Sequence, residues 1–439
     1  MGERITIEPL RGPLDGSCRV PGDKSISHRA ILFSAMAEGT SRLTGVLDSE
    51  DVRASIEAVQ KLGAHVALEK QPDGSLSGGI EGWGSKGPKQ PDTSIYCANS
   101  GTTARLLMGV LAPWDISVRI EGDESLSKRP MRRITAPLMK MGVNFDPAGA
   151  QTLPVVERGC RDLRAINYDS PMASAQLKTA ILLAGVRANG VTTVNEPSVS
   201  RNHTELMLPE YGVDTTAGER TASVTGPAAM HAAEISIPGD PSSAAFLVAA
   251  ACCKPGSSIQ IEGVSLNTAR TGYLITLEKM GANVSTRHTG QAGKEPMGII
   301  SACYTERLRG CEIPADKIAS LVDEVPVLAF VAAHAQGLTV FRDVSELRAK
   351  ESNRLASIVE GLSVMGVDAW IEGDDLYVEG QPGLSLPSGL EFETHGDHRL
   401  AMTWALAGLC GREPVALDDF SCVDVSFPDF LSTIRGLSA

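Results

Sequence analysis

The chain has 439 residues, enough for two or three domains, and its 40 basic and 53 acidic residues give a formal net charge of −13. An acidic chain with only 4% aromatic residues is a poor candidate for binding nucleic acid or an anionic membrane. Its 42% apolar and 21% charged residues are typical of a globular protein.

The nine cysteines and the apolar runs exclude further classes. The number of cysteines is odd and no Cys-x-x-Cys pair occurs, so neither a disulfide framework nor a zinc site is indicated. The longest apolar run, Ala244–Cys253, has ten residues, short of the roughly 18 that span a membrane. The N-terminus lacks the apolar region of a signal peptide. We therefore expect a reduced, cytoplasmic protein.

A pattern of strand, amphipathic helix, glycine and second strand repeats along the chain. In chain order the copies are residues 39–66, a stretch near Ser117, a stretch near Gly190, residues 256–284, residues 337–367 and a stretch near Glu413. Each amphipathic helix should end at a glycine, because the left-handed conformation that closes many helices favours this residue. The predicted helix-ending glycines are Gly63, Gly142, Gly212, Gly281 and Gly366, with Gly436 as a candidate sixth.

A second element, a polar cluster followed by a helix of small apolar residues, recurs at the same spacing. The predicted stretches are residues 23–37, 99–112, 170–185, 239–251, 322–335 and 395–409. These helices are apolar nearly all round and should be buried, and the Ser, Thr, Asp and Asn at their starts are good N-caps.

The two patterns divide the chain into six units of about 70 residues, each with one buried helix, one exposed helix and several strands in βαβαββ-like order. The predicted fold class is therefore α/β (α+β). The units should group as two similar domains of three, with the break near Pro238–Pro241. Residues 22–240 would form the N-terminal domain, and residues 1–21 with 241–439 the C-terminal domain.

Cations recur at or near the starts of these helices. They are Lys24, Arg29, Arg105, Arg129, Arg201, Lys350, Arg354 and Arg399. Helix N-termini attract anions through their N–H groups and dipole, so a cleft between the domains would gather positive potential if the helices point the same way. A small polyanion with phosphate or carboxylate groups is the indicated ligand. ATP and NAD are disfavoured, because neither a complete P-loop nor a G-x-G-x-x-G motif after a strand occurs.

Seven segments carry a resemblance to a known family. They are PGDKSISHRA (21–30), NSGTTARLL (99–107), KRPM (128–131), SAQLKTA (174–180), the DE of VDEVP (323–324), KESNRL (350–355) and GDHRLAM (396–402). In this order they resemble the 5-enolpyruvylshikimate-3-phosphate synthase family over essentially the whole chain. The resemblance implies two domains of three repeated units with buried parallel helices, of the inside-out α/β barrel type, around an interdomain cleft.

The resemblance also implies a reaction of the shikimate pathway of aromatic amino acid biosynthesis. The enolpyruvyl group of phosphoenolpyruvate is transferred to the 5-hydroxyl of shikimate 3-phosphate and phosphate is released, through a tetrahedral intermediate. No metal or organic cofactor is implied. The expected enzyme is a cytoplasmic monomer with no nucleic-acid or membrane partner.

Roles for individual residues follow from the same resemblance. Shikimate 3-phosphate is expected to contact Lys24, Ser25, Arg29, Ser174, Ala175, Gln176, Arg201, Asp323 and Lys350. Phosphoenolpyruvate is expected to contact Lys24, Asn99, Gly101, Arg129, Gln176, Arg354 and Arg399. Asp323 is the expected acceptor of the 5-hydroxyl proton and Glu351 the expected donor to the methylene carbon, with Lys24 sharing in proton transfer. A carboxyl needs a raised pKa to act as an acid, whereas the cations beside Glu351 lower it, and the sequence leaves this conflict open.

Two positions bear on the inhibitor glyphosate and on substrate binding. The SAQ and SRNHTE segments resemble the second sequence class of the family, some members of which have alanine where Gly101 stands. Glycine leaves space there, so inhibition by glyphosate is expected. Val425 replaces a lysine of some members, so fewer cations should hold phosphoenolpyruvate.

Two alternatives remain at the sequence level. The first is the related transferase that acts on UDP-N-acetylglucosamine, although its usual loop cysteine is missing from residues 114–128. The second is a non-catalytic, two-lobed protein that binds an anion. Phosphate release from purified substrates would separate the three hypotheses.

Overall fold

The computed structural model describes residues 4–438, which form two compact units. Unit N comprises Gly22–Pro238 and Ala292–Glu295. Unit C comprises the described part of Met1–Pro21, Gly239–Gln291 and the described part of Pro296–Ala439. Each unit has its own hydrophobic core. These limits differ from the predicted domains, since Gly239 and Asp240 belong to unit C and the short segment Ala292–Glu295 belongs to unit N.

Fourteen α-helices lie within residues 4–438, and none of the helices there is long and apolar enough to cross a membrane. They are α1 (Lys24–Met36), α2 (Glu50–Lys61), α3 (Gly101–Leu111), α4 (Glu124–Lys128), α5 (Arg132–Met141), α6 (Ala175–Gly185), α7 (His203–Met207), α8 (Pro241–Cys253), α9 (Gly272–Lys279), α10 (Ala315–Ile318), α11 (Val325–Ala333), α12 (Arg354–Val364), α13 (His398–Cys410) and α14 (Phe430–Gly436). Short 3-10 helices span Gly84–Lys86, Leu208–Tyr211, Val322–Glu324, Ser345–Ala349 and Ser421–Val425.

Strands are interspersed with these helices between residues 4 and 438. They are β1 (Ile5–Ile7), β2 (Asp15–Cys18), β3 (Thr40–Val46), β4 (His65–Lys70), β5 (Leu76–Glu81), β6 (Ile95–Tyr96), β7 (Ser117–Glu121), β8 (Asn144–Asp146), β9 (Val155–Arg158), β10 (Asn167–Asp169), β11 (Gly190–Asn195), β12 (Thr215–Ala217), β13 (Thr221–Gly226), β14 (Glu234–Ser236), β15 (Ser258–Ser265), β16 (Asn283–Ala292), β17 (Glu295–Cys303), β18 (Glu312–Ile313), β19 (Gly337–Phe341), β20 (Ala369–Glu372), β21 (Asp375–Gly380), β22 (Glu391–Phe392) and β23 (Val415–Leu417).

The strands of the described chain form six sheets, and five of these sheets share one strand order. The orders are β14-β3-β5-β4, β6-β7-β9-β8 and β10-β11-β13-β12 in unit N, and β2-β15-β17-β16 and β18-β19-β21-β20 in unit C. The first strand of each pairs in parallel with the second. The remaining sheet is β1-β23-β22. The repeated α/β architecture predicted from the sequence is therefore present.

The six predicted apolar helices are α1, α3, α6, α8, α11 and α13, and nearly all their side chains are buried. Three of them pack together in each unit. Side chains cap five of their N-termini, because the first N–H groups of a helix have no acceptor within it. The capping residues are Asp23, Ser100, Ser174, Asp240 and Asp397.

Five of the six predicted helix-ending glycines adopt a positive φ, as a left-handed helix end requires. They are Gly63, Gly142, Gly212, Gly281 and Gly366. The prediction for Gly436 is wrong, because this glycine is the last residue of α14 itself and Leu437 follows it as the cap.

Candidate active site

Lys24 is the first residue of α1, in unit N. Its N-cap, Asp23, accepts a hydrogen bond from the Ile26 N–H at 2.8 Å. The Lys24 ammonium forms an ion pair with Asp51, near the start of α2, and both side chains are mostly buried. Asp51 therefore fixes the place of the predicted catalytic lysine.

Arg29 lies one turn further along α1 and is almost completely buried. Its Nε and Nη2 donate to the hydroxyls of Thr204 and Thr179, both at 2.8 Å, and its Nη1 donates to the Ser25 carbonyl at 2.9 Å. These hydroxyl and carbonyl acceptors fix the orientation of the Arg29 guanidinium.

Asn99 with Arg129, and Gln176 with Arg105, form two hydrogen-bonded groups around the start of α3. Arg129 donates to both the carbonyl and the side chain of Asn99, whose amide donates to Asp123 at 2.7 Å. The Gln176 side chain accepts from Arg105 at 2.9 Å and donates to the Thr102 hydroxyl at 3.0 Å.

Gly101 lies directly against these guanidinium groups. A Cβ atom at this position would lie 2.7 Å from Arg105 Nη1 and 3.5 Å from Arg129 Nη1. The first distance is too short for an ordinary contact, so any side chain here would displace Arg105. Glycine therefore leaves room for the end of the Arg105 side chain, whereas the distance to Arg129 would be an ordinary contact.

The start of α6 contributes Ser174, Ala175 and Gln176. Ser174 is the N-cap, and its hydroxyl accepts from the Leu177 N–H at 3.4 Å. Ala175 and Gln176 open the helix, so their N–H groups have no acceptor within it. Arg201 lies in the loop before α7 and is half-buried.

Unit C holds a separate cluster around Arg354, the first residue of α12. Its guanidinium is 1% exposed and donates to both oxygens of Asp397, at 2.9 and 3.2 Å, and to Glu351 at 2.6 Å. Burial alone would lower the pKa of Arg354, but the charges of Asp397, Glu351 and Asp323 outweigh burial and raise it. Arg354 thus stays positively charged although it is buried.

Asp323, in the 3-10 helix before α11, faces the cations of unit C. Its carboxylate lies 3.5 Å from Arg354, 3.6 Å from Lys350 and 3.8 Å from Arg399. Its carbonyl also accepts from Arg399 Nη1 at 3.1 Å. Predicted residues of unit C therefore come together although up to 76 positions separate them in sequence.

Val425 and the buried His28 lie in different units. Val425 ends the 3-10 helix Ser421–Val425. His28 bonds through Nδ1 to the Ser55 hydroxyl at 2.8 Å. Burial, followed by the charges of Lys24 and Arg29, lowers the pKa of His28 well below its usual value, so this imidazole is neutral.

Several charged residues that contact the predicted set, or that pair with such residues, were missed from the sequence. They are Asp51, Asp397, Lys178, Glu196 and Glu205. One signal was available: Lys178 interrupts the apolar pattern of a buried helix, and a buried ammonium needs carboxylate partners. The sequence does not identify those partners.

The chain has a fold and charged clusters suited to an enzyme that acts on small anions, and comparison with known proteins specifies the class. The enolpyruvyl transferase NikO from Streptomyces tendae superimposes with a TM-score of 0.78 over 100% of this chain and 98% of its own, at 18% identity. The fold is therefore that of an enolpyruvyl transferase.

The sequence comparisons specify the family. The family model of EPSP synthase (3-phosphoshikimate 1-carboxyvinyltransferase) matches residues 10–434. The 3-phosphoshikimate 1-carboxyvinyltransferase of Gluconobacter oxydans is 43% identical over 99% of this chain and 98% of its own. The solved EPSP synthase of Acinetobacter baumannii is 39% identical, with a TM-score of 0.86 over 99% of this chain and 98% of its own. The chain belongs to the EPSP synthase family.

Proposed function

We propose that this chain transfers the enolpyruvyl group of phosphoenolpyruvate to the 5-hydroxyl of shikimate 3-phosphate and releases phosphate. Family membership over the whole chain supports this reaction. The observation that carries the assignment of residues is the cluster around Arg354. There two carboxylates that solvent still reaches, Asp323 and Glu351, lie beside cations suited to anionic substrates.

The chemistry requires a base and an acid, and we assign these roles to Asp323 and Glu351. As the 5-hydroxyl oxygen bonds to C2 of phosphoenolpyruvate, Asp323 takes the hydroxyl proton and Glu351 donates a proton to C3, which gives a tetrahedral intermediate. C3 then loses a proton while the C2–O bond to phosphate breaks. Lys24 is assigned a share in these proton transfers. The negative charges of bound substrate favour the protonated form of Glu351 that the first step needs.

The remaining assignments follow the charges of the two substrates. Shikimate 3-phosphate is assigned to Lys24, Ser25, Arg29, Ser174, Ala175, Gln176, Arg201, Asp323 and Lys350. Phosphoenolpyruvate is assigned to Lys24, Asn99, Gly101, Arg129, Gln176, Arg354 and Arg399. In unit N, the hydrogen bonds from Arg29 to Thr204 and Thr179 fix its guanidinium in one orientation, which supports its role in binding an anion.

Phosphate release by the purified chain tests this function. We expect inorganic phosphate only when phosphoenolpyruvate and shikimate 3-phosphate are both present. Release with UDP-N-acetylglucosamine instead of shikimate 3-phosphate would identify the related transferase, and the absence of release with either acceptor would leave an anion-binding protein.

We also propose that glyphosate inhibits the enzyme in competition with phosphoenolpyruvate. The missing side chain at Gly101, next to Arg105 and Arg129, supports this proposal. Replacement Gly101→Ala should displace Arg105 and weaken inhibition by about tenfold or more, a loss comparable to that of one charge-assisted hydrogen bond. Steady-state kinetics of the wild type and of Gly101→Ala, with phosphoenolpyruvate and glyphosate both varied, test this proposal. Wild-type activity that millimolar glyphosate leaves unchanged would contradict it.

Finally, we propose that the enzyme works as a monomer in the cytoplasm. All nine cysteines are free thiols, a state typical of proteins from a reducing compartment, and this supports the cytoplasm. Light scattering should give the chain mass of 46.3 kDa. Twice that mass at micromolar concentration would contradict the monomer.

A further inference from the structure

A buried cluster of three charges lies at the start of α6. Lys178 Nζ is 2.7 Å from Glu196 Oε2 and 2.7 Å from Glu205 Oε1, and all three side chains are at most 5% exposed. Burying charges is costly unless they are paired and hydrogen-bonded. A cluster of this kind therefore needs a structural or functional explanation, and the reaction steps above do not use it.

Glu196 differs from Glu205 in its other contacts. Its Oε1 accepts the backbone N–H of Ser174 at 3.0 Å, and its Oε2 accepts the Ser200 hydroxyl at 2.9 Å. Ser174 begins the segment 174–176, and Ser200 precedes Arg201 directly. Both neighbourhoods are assigned to shikimate 3-phosphate, so one carboxylate joins two segments assigned to the same ligand.

We infer that Glu196 is a positioning residue for the phosphate group of shikimate 3-phosphate. This inference rests on the proposed function. Glu196 accepts the hydrogen bond from the Ser174 N–H and so fixes the position of the N-cap residue of α6. The N–H groups of Ala175 and Gln176, which have no acceptor within the helix, are then directed toward the ligand. Through Ser200, the same carboxylate fixes the backbone next to Arg201.

The charge of Lys178 makes this arrangement compatible with an anionic ligand. A carboxylate is stabilised at the start of a helix, but unpaired it would repel a phosphate bound there. Lys178, on the first turn of α6, pairs with Glu196 and offsets this repulsion. Thr179 on α6 and Thr204 on α7 both accept hydrogen bonds from Arg29, so the cluster joins the two helices that also orient this arginine.

The two carboxylates of the cluster offer a matched pair of variants. Glu196→Gln and Glu205→Gln each remove one negative charge from the same lysine, but only the first changes the group that binds Ser174 and Ser200. Glu196→Ala removes the acceptor altogether, whereas glutamine at this position can still accept the Ser174 N–H.

The experiment measures KM for each substrate and kcat of the four full-length proteins. For Glu196→Ala we expect the KM of shikimate 3-phosphate to rise by about tenfold or more, as loss of a charge-assisted hydrogen bond predicts. Its kcat and its KM for phosphoenolpyruvate should change by less than about twofold. Glu196→Gln should recover most of the loss, and Glu205→Gln should stay within about twofold of wild type.

A rise of the shikimate 3-phosphate KM in Glu205→Gln as large as that in Glu196→Ala, or an equal rise of both KM values in Glu196→Ala, would overturn the inference and leave a structural ion cluster. If Glu196→Ala does not fold, Ser200→Ala replaces it and should raise the KM of shikimate 3-phosphate by about threefold or more, as loss of one hydrogen bond to the Glu196 carboxylate predicts. No rise would contradict the inference. A wild-type chain that is inactive with shikimate 3-phosphate would refute the proposed function itself. An active wild type with an unchanged KM in Glu196→Ala would refute only the role of Glu196.

Discussion

Glu351 is the residue on which the proposed proton donation depends. Its one assigned proton transfer is the donation to C3 of phosphoenolpyruvate. Its Oε2 lies 2.6 Å from Arg354 Nη2. Glutamine can accept the same hydrogen bond but cannot act as an acid. We therefore expect Glu351→Gln to lower kcat by about a hundredfold or more, the usual effect of losing a general acid.

The neighbouring Glu346 provides the control for this prediction. It contacts Lys350 at 3.1 Å and is largely exposed, and no role is assigned to it. Glu346→Gln should change kcat by less than about twofold, since Glu346 takes no part in the proposed proton transfers. A kcat for Glu351→Gln that remains close to wild type, measured by phosphate release, would remove Glu351 from the mechanism.

Glu157 gives a prediction about stability and pH. This residue of β9 is 1% exposed, and neither carboxyl oxygen has a hydrogen-bond partner within the described chain. Burial raises the pKa of Glu157 well above its usual value. The folded state therefore favours the protonated form of Glu157. The stability that this preference contributes is present below the ordinary pKa of a glutamate and is lost as pH rises toward the raised pKa.

Replacement Glu157→Gln, which cannot ionise, should remove this part of the pH dependence. The free energy of unfolding of both proteins is measured in urea from pH 5 to pH 8. The value for Glu157→Gln minus that for wild type should increase as pH rises. Glu157→Met, which also removes the unpaired polar group, should stabilise the protein by about 1–3 kcal/mol at neutral pH. Parallel pH profiles for wild type and Glu157→Gln would contradict the account.

At the level of single residues, the sequence identified charges but not their partners. Lys24 and Arg354 could be predicted because each begins a helix in a distinctive segment. Asp51 and Asp397, which bind them, lie 27 and 43 positions away. Such pairs are set by helix packing, which a local pattern does not contain.

At the level of elements, two glycines of unit C allow a test of how the amphipathic helices end. Gly366 follows α12 with a φ of 77°, whereas Gly436 lies within α14, and a Cβ atom would meet nothing within 4 Å at either position. The two sites therefore differ in backbone conformation and not in available space.

Alanine should act in opposite directions at these positions. Gly366→Ala should destabilise the protein by about 1 kcal/mol, because it forces a side chain into the left-handed region. Gly436→Ala should be neutral or stabilise it by up to about 1 kcal/mol, because alanine favours a helix. Urea unfolding measures both, and losses of the same size would show that φ does not decide the outcome.

The helices were easier to predict than the strands that complete the sheets. The six buried helices follow from composition and spacing. The pairing of β14 with β3 joins residues about 190 positions apart, and β2 pairs with β15 over a longer separation. Neither contact leaves a local signal, and nor does the placement of Ala292–Glu295 in unit N, so sequence periodicity could not reveal them.

At the scale of the whole molecule, the net charge of −13 does not reveal the local groups of cations. Carboxylates hold Lys24 and Lys178 in unit N and Arg354 in unit C, and hydroxyl groups orient Arg29. The acidic composition argues against a long polyanion as the ligand. Only the cations at the repeated helix starts indicate that the ligand is a small anion. The family then identifies which reaction these groups serve.

The central claim is that the chain transfers an enolpyruvyl group by addition and elimination. The most direct test follows the methylene carbon of phosphoenolpyruvate during turnover with shikimate 3-phosphate in deuterium oxide, by NMR and mass spectrometry of the product. Addition of a solvent deuteron to C3 followed by elimination should place deuterium in the vinyl group of the product, together with release of inorganic phosphate. A product free of deuterium, or conversion of phosphoenolpyruvate to pyruvate without transfer, would contradict the account.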